Sequence, residues 1–168
     1  DYASYTLNNW RRIDPHGPIT VDNLLLNQTF LHIPDSAWFT LIHVDIEARA
    51  AQAVSNIEPA IIAARQGDDT ALMRALEKMQ GGLEAMMASF RRMPEGCRTD
   101  VYYYTVRPYM FGFDDVIYEG AFDDQPQTYP GETGAQSSVI PALVKALGLQ
   151  HEERRSGKRC TDCRFSHI

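Results

Sequence analysis

Two side chains are chemically conspicuous because each is polar where its neighbours are not. In residues 37–51, AWFTLIHVDIEARAA, a single histidine, His43, interrupts what otherwise reads as the apolar face of a helix. At about 100° per residue His43 falls some 40° from Phe39, inside the stripe, while Glu47 lies at its polar edge. Such a histidine is either a core residue tied to a carbonyl or to Glu47 one turn on, or a general base or hydrogen-bonding group over a ligand. An unperturbed pKa of about 6.5 suits the second role. In residues 101–109, VYYYTVRPY, Arg107 is the only basic residue between Arg98 and Lys145 and shares a helical face with Tyr103. An arginine among aromatics calls for a carboxylate. That partner is either structural, from Asp114, Asp115 or Glu119, or belongs to a ligand held by the bidentate guanidinium fork.

A third candidate is the loop YPGETGAQSS, residues 129–138, which joins glycines and hydroxyls to a helix start whose free N–H groups suit an anion or carboxylate. It lacks the Gly-Lys-Ser/Thr of a phosphate loop, and plain helix capping is the competing reading. Cys160 and Cys163, with His151 and His167 around them, have the pair spacing of a zinc site. One Cys-x-x-Cys with loosely spaced histidines is a weak pattern, and the thioredoxin-like alternative lacks its strand-to-helix context.

The elements that must position these groups read as helices. Asp14-Pro15 and Gly17-Pro18 mark turns, after which Thr20 can cap a short helix over residues 21–27. From Pro34 the positions Phe39, Ile42, Ile46, Ala50, Ala53, Ile57, Ile61 and Ala64 form one stripe, with Asp35 or Ser36 as cap. Pro59 crowds the carbonyl of Ser55 and predicts a kink or break. A second stripe runs Leu72, Leu76, Met79, Leu83, Met86 and Phe90, capped by Asp68 or Asp69, with Pro94 beyond its end. Gly81-Gly82 within it costs about 1 kcal/mol per glycine, which predicts close approach of a neighbouring helix. Residues 99–113 are aromatic on nearly every side and predict a buried or pocket-lining helix bent at Pro108. Residues 114–134 read as a long irregular connection with one extended piece at VIYEG. A last helix restarts at Ser137 or Ser138 and stops near Gly148. Strand signals are few, so the expected class is all-α.

The 168 residues, 44% hydrophobic and 23% charged, suffice for a globular domain with a core. A net charge of −6 offers no broad basic surface, so nucleic acid is a poor partner. No apolar stretch reaches the ~18 residues of a membrane span. The amino terminus reads neither as a signal nor as a transit peptide, and three cysteines argue against a disulfide framework. A cytoplasmic location is expected, with the chain beginning inside a longer protein.

Taken together, NNWRRIDPHGPIT, FTLIHVDIEARAA, YYYTVRPYMFGF, VIYEG and GETGAQSSVIPALVKALGL resemble the indoleamine 2,3-dioxygenase family in order and spacing. The most specific pieces are Arg107-x-Tyr109-x-x-Gly112, Tyr118-Glu119-Gly120 and Gly134-Ala135-Gln136-Ser137-Ser138. The resemblance implies a multi-helical domain that binds haem b and inserts both atoms of O₂ across the indole 2,3-bond of L-tryptophan, giving N-formylkynurenine. By matching position it implies that Phe39 stacks beside the indole and that His43 lies on the distal side of the haem. Tyr5 and Tyr102 would contact the substrate, Arg107 would grip its carboxylate, and Thr133 and Gly134 would form the small-residue loop over haem and amino acid.

The resemblance covers residues 2–150. Residues 1–150 are therefore expected to be a partial haem- and substrate-binding domain, and 151–168 a divergent polar, basic tail. Neither His151 nor His167 stands in a matching context, so no iron ligand is assigned. A chain without that proximal histidine should be inactive or nearly so. The competing functions are oxygenation of another indole or phenol, and a haem-free helical binding module.

Overall fold

The computed structural model describes residues 2–150, so Cys160, Cys163, His151 and His167 lie outside the described residues. The fold is all-α in plan. Its centre is α1 (Pro34–Val54), packed along α3 (Asp69–Arg91), with α2 (Ile57–Gln66) between them in sequence and against α3 in space. Ile42 and Ala53 on α1 are fully buried, and so nearly are Ala75 and Met79 on α3. Of the glycine pair, Gly82 has the expected close partner, while a Cβ on Gly81 would meet only the Gln52 side chain at 3.4 Å. A Cβ on Gly82 would stand 2.6 Å from the backbone nitrogen of Ala53, so only glycine admits this helix approach.

The expected break at Pro59 occurs at Ser55 and Asn56, where the proline ring crowds the carbonyl four residues earlier. It re-phases the stripe. Ala60 and Ala63 face inward on α2, while Ile61 and Ala64, which the uninterrupted period would bury, are exposed. Asp68 caps α3 by accepting from the Ala71 N–H at 2.9 Å. Phe90, at the end of the same stripe, is exposed rather than buried.

The cap of α1 differs from expectation. Ile33 is the N-cap and Pro34 opens the first turn, while Asp35 is buried and engaged elsewhere, accepting from the backbone N–H and guanidinium of Arg98. That pairing holds the Asp35 carboxyl below the usual carboxylate range and ties the start of α1 to the approach of the aromatic segment. Residues 21–27 also differ. Only Val21–Asn23 makes a 3₁₀ turn, and Leu24–Leu26 continues as β2, antiparallel to β1 (Trp10–Arg12) with Trp10 opposite Leu26. Three consecutive leucines suit a half-buried strand as well as a helix, and the period of so short a run cannot separate them.

After α3 the chain shortens its elements: α4 (Met93–Gly96), a single turn α5 (Thr99–Val101), a π turn over Tyr102–Val106 and a 3₁₀ turn over Arg107–Met110. The aromatic segment is thus a coiled series of tight turns, and Tyr103, Tyr104, Tyr109 and Phe111 are exposed. Strands β3 (Phe113–Val116) and β4 (Gln127–Tyr129) form an antiparallel hairpin, so that of VIYEG only Val116 is strand. The 3₁₀ turn Gly134–Gln136 leads to α6 (Val139–Ala146), whose first N–H is received by the Ser137 hydroxyl at 3.2 Å.

Candidate functional site

His43 lies on the inward face of α1 and is partly buried. Its Nδ1 is 2.8 Å from the Phe39 carbonyl oxygen. A carbonyl only accepts, so Nδ1 carries the proton and the neutral ring presents its lone pair at Nε2. Burial pushes the imidazole pKa below 6.5, with the Phe39 contact and the Glu47 charge opposing, which favours this neutral form. Nε2 faces the Gly134 loop, where a Cβ would sit 3.5 Å away. Of the two sequence readings of a core histidine, the carbonyl tie is the one realised. Glu47 instead accepts from the Tyr2 hydroxyl at 3.0 Å.

One turn before His43, Phe39 lies with its ring centroid 4.5 Å from the imidazole and 4.5 Å from the ring of Tyr102, stacked on the latter at 28°. Tyr2 meets His43 edge-on at 6.4 Å. Tyr5 is buried with Val106 and Met110 in the same cluster as Phe39 and Tyr102. Its hydroxyl accepts from Thr40 at 2.8 Å and reaches Met110 sulfur at 3.8 Å, and its ring stacks on Phe30 at 5.6 Å. The structure thus gathers Tyr5, Phe39, His43 and Tyr102 into one aromatic wall. A cavity of about 260 Å³ opens beside it, sharing Tyr5 and Thr40 and lined also by Ser36 and Phe30.

The π turn explains how Arg107 joins this group. Arg107 N–H bonds to the Tyr102 carbonyl five residues back, a wider turn than an α-helix makes, which carries Tyr102 inward to Phe39 while Arg107 stays exposed above it. The guanidinium lies over Tyr103 at 5.7 Å and Phe111 at 5.8 Å. Among the described residues no carboxylate is within ion-pair distance of it, so Asp114, Asp115 and Glu119 are not its partners. Cation–π contacts leave the in-plane N–H donors available for a carboxylate. Burial pushes the Tyr102 phenol up, and the Arg107 charge opposes that shift.

Thr133 is exposed and accepts from Ala135 N–H at 3.2 Å, which is a capping contact of the 3₁₀ turn rather than one to the aromatic wall. Gly134 is the loop residue against His43. The loop itself is tethered. Gln136 donates from Nε2 to the Gly131 carbonyl at 3.1 Å and accepts the Tyr2 N–H at 3.0 Å, so Tyr2 bridges the loop to Glu47 on α1. Sequence reasoning missed Tyr2 and Thr40, and singled out Gln136 only as part of a motif, without a role. Tyr2 was findable, because it precedes Tyr5 by three residues and shares its helical face.

Among the described residues no group of three His, Cys, Asp or Glu could hold a bare metal ion. The donor set at His43 is one neutral imidazole nitrogen in an apolar, aromatic surround. The flat rings of Phe39 and Tyr102 beside it would suit one face of a planar group such as a haem, with His43 next to that face as a hydrogen-bonding group and not as its iron ligand. No described helix is long and apolar enough to cross a membrane.

Comparison with known proteins bears on the same residues. The sequence profile described as indoleamine 2,3-dioxygenase matches residues 1–167. The chain is 30% identical over 158 residues to indoleamine 2,3-dioxygenase 1 of Mus musculus, covering 90% of this chain and 39% of that protein. It is 30% identical over 173 residues to indoleamine 2,3-dioxygenase acdA of Aspergillus candidus, covering 94% and 43%. It is also 24% identical over 181 residues to indoleamine 2,3-dioxygenase of Saccharomyces cerevisiae, covering 99% and 40%. The chain spans about two fifths of the length of these curated relatives.

Proposed function

Because this chain belongs to the indoleamine 2,3-dioxygenase family, we propose that it forms the substrate side of a haem-dependent dioxygenase site acting on L-tryptophan. The observation that carries the reading is the Phe39 ring, 4.5 Å from both His43 and Tyr102, with Arg107 on the turn that begins at Tyr102 and without a carboxylate partner among the described residues. A zwitterionic indole amino acid needs those parts together: a flat apolar slot, an acceptor for the indole N–H and a fork for the carboxylate. Phe39 and Tyr102, stacked on each other, and Tyr5 supply the apolar wall of that slot. His43 Nε2 is the acceptor, and its depressed pKa keeps the lone pair available through the neutral range. Arg107 takes the carboxylate, and the Thr133–Gly134 loop closes over the amino-acid end.

The haem would be held with one face toward Phe39, His43 and the Gly134 loop, and activation of O₂ is the chemistry that this group supplies when bound. The protein's own work is to orient the indole and to exclude water. Among the described residues no histidine is assigned as the iron ligand. The reaction product would be N-formylkynurenine, a step of tryptophan catabolism by the kynurenine pathway.

Calorimetric titration of the full 168-residue chain with equimolar haemin tests this, comparing L-tryptophan with tryptamine, which lacks the carboxylate. Charged hydrogen bonds contribute about 1.5–3 kcal/mol, so Arg107→Ala should weaken L-tryptophan about tenfold or more and leave tryptamine unchanged. Equal affinity of the variant and the parent chain for L-tryptophan would overturn the assignment.

A further inference from the structure

Gly112 closes the Arg107-x-Tyr109-x-x-Gly112 motif, yet it touches nothing in the aromatic wall. Its side of the chain faces Gly131 instead. A Cβ on Gly112 would collide with the Tyr129 carbonyl oxygen and stand 2.7 Å from the Gly131 nitrogen. A Cβ on Gly131 would collide with the Met110 carbonyl oxygen and stand 2.7 Å from the Gly112 nitrogen. Neither glycine has a positive φ, so the requirement is closeness of two backbones and not an unusual torsion. The approach is locked just beyond it, where Glu132 N–H donates to the Met110 carbonyl at 2.8 Å.

What crosses here are the two legs that carry the polar half of the site. One leg runs back from Gly112 through Met110 to Arg107. The other runs forward from Gly131 to Thr133 and Gly134, and the Gly131 carbonyl is also the acceptor that Gln136 grips while Gln136 holds Tyr2 beside His43. Between the legs lies the hairpin β3–β4, whose register shifts between Phe113 and Val116, so its outer part sets no firm separation. The glycine contact extends the one pair that stands next to it, Phe113 opposite Tyr129, and brings the two backbones closest.

We infer that Gly112 and Gly131 form a backbone clasp that fixes the separation between Arg107 and the Thr133–Gly134 loop, and thereby sets discrimination for a substrate bearing a carboxylate. This rests on the reading of Arg107 given above. Both are positioning residues: neither touches substrate, and each acts through the leg it anchors. An added methyl on either forces the backbones apart by more than a rotamer change can absorb, because the atoms it meets are main chain.

The test uses the full chain with haemin and four variants, Gly112→Ala, Gly131→Ala, Gly120→Ala and Arg107→Ala. Each is titrated with L-tryptophan and with tryptamine, and amide exchange at Glu132 is followed by NMR. Gly120 is the control. It lies at the far end of the same hairpin with φ +75°, where alanine is strained but meets nothing within 4 Å. Gly112→Ala and Gly131→Ala should each lower the preference for L-tryptophan over tryptamine about fivefold or more and speed Glu132 exchange, whereas Gly120→Ala should alter neither, the carboxylate contact being the part displaced. A purely structural role would weaken both ligands by the same factor, and that result, or an unchanged preference in both clasp variants, overturns the inference while leaving Arg107 as the carboxylate grip. A parent chain that does not discriminate, together with an Arg107→Ala variant like it, overturns the reading of Arg107 and the clasp's role with it.

Discussion

The pair α1 and α3 and the segment from Thr99 to Tyr129 are both rich in apolar side chains, yet they fold by opposite rules. On the helix pair, small residues meet at the crossing and the stripe turns inward up to Phe90, with Ile42 and Ala53 at 0% exposure. In the later segment, large aromatics stand outward, with Tyr104 at 77% and Tyr109 at 61%. Apolar content alone therefore does not decide burial. A long helix has a partner for its stripe within the chain, whereas a series of tight turns presents side chains in every direction and can bury only those that reach an existing wall, as Tyr102, Val106 and Met110 do. The site uses both kinds of region. Phe39 and His43 come from the rigid one, and Arg107 and Gly134 from the turn-rich one.

That contrast orders the expected effects of substitution. Ile42→Ala, at a fully buried position of α1, should cost about 3 kcal/mol, read as a lowered urea midpoint with unchanged slope. A loss under ~1 kcal/mol would mean that the helix pair is not the stable centre described here. Gly82→Ala comes next. Overpacking against the Ala53 backbone costs up to about 3 kcal/mol, and helix propensity returns about 1 of it, leaving a net loss of about 2 kcal/mol. In a thermal melt that is a fall of roughly 4–8 °C for a chain of this size, and an unchanged melting point would contradict the close crossing. Smallest is Tyr104→Ser in the turn-rich segment, expected within about 0.5 kcal/mol of the parent chain by the same urea titration. A larger loss there would show that the exposed aromatics do hold the fold and would erase the distinction.

Much of the helix pair was legible in the sequence because its information is local. The Ser55 break follows from one proline ring, the start of α3 from one aspartate cap, and the Gly82 crossing from a glycine that has no other reason to be in a helix. The misread places lie where a local signal competes with a distant partner. Asp35 has the composition of a helix cap, but Arg98, sixty-three residues away, takes its carboxylate. Leu24–Leu26 has no decisive period, and pairing with Trp10–Arg12 makes it a strand. Residues 99–113 have an aromatic density that suggests burial, and the π and 3₁₀ turns leave Tyr103, Tyr104, Tyr109 and Phe111 exposed.

For the candidate site the division is similar. Position along the helix placed Phe39 and His43 on one inward face, and spacing placed Arg107 beside Tyr103; those relations depend only on helical geometry over four residues. The tautomer of His43, the Tyr102 stack on Phe39, the Thr40 hydrogen bond to Tyr5 and the meeting of Gly112 with Gly131 belong to the tertiary structure. Each joins atoms that the chain brings together only by folding, and a period of 3.6 residues carries no information about which carbonyl or ring will be waiting there. The sequence by itself determined which residues could face inward and which polar groups were available. The packing of turns against α1 decided which of them meet.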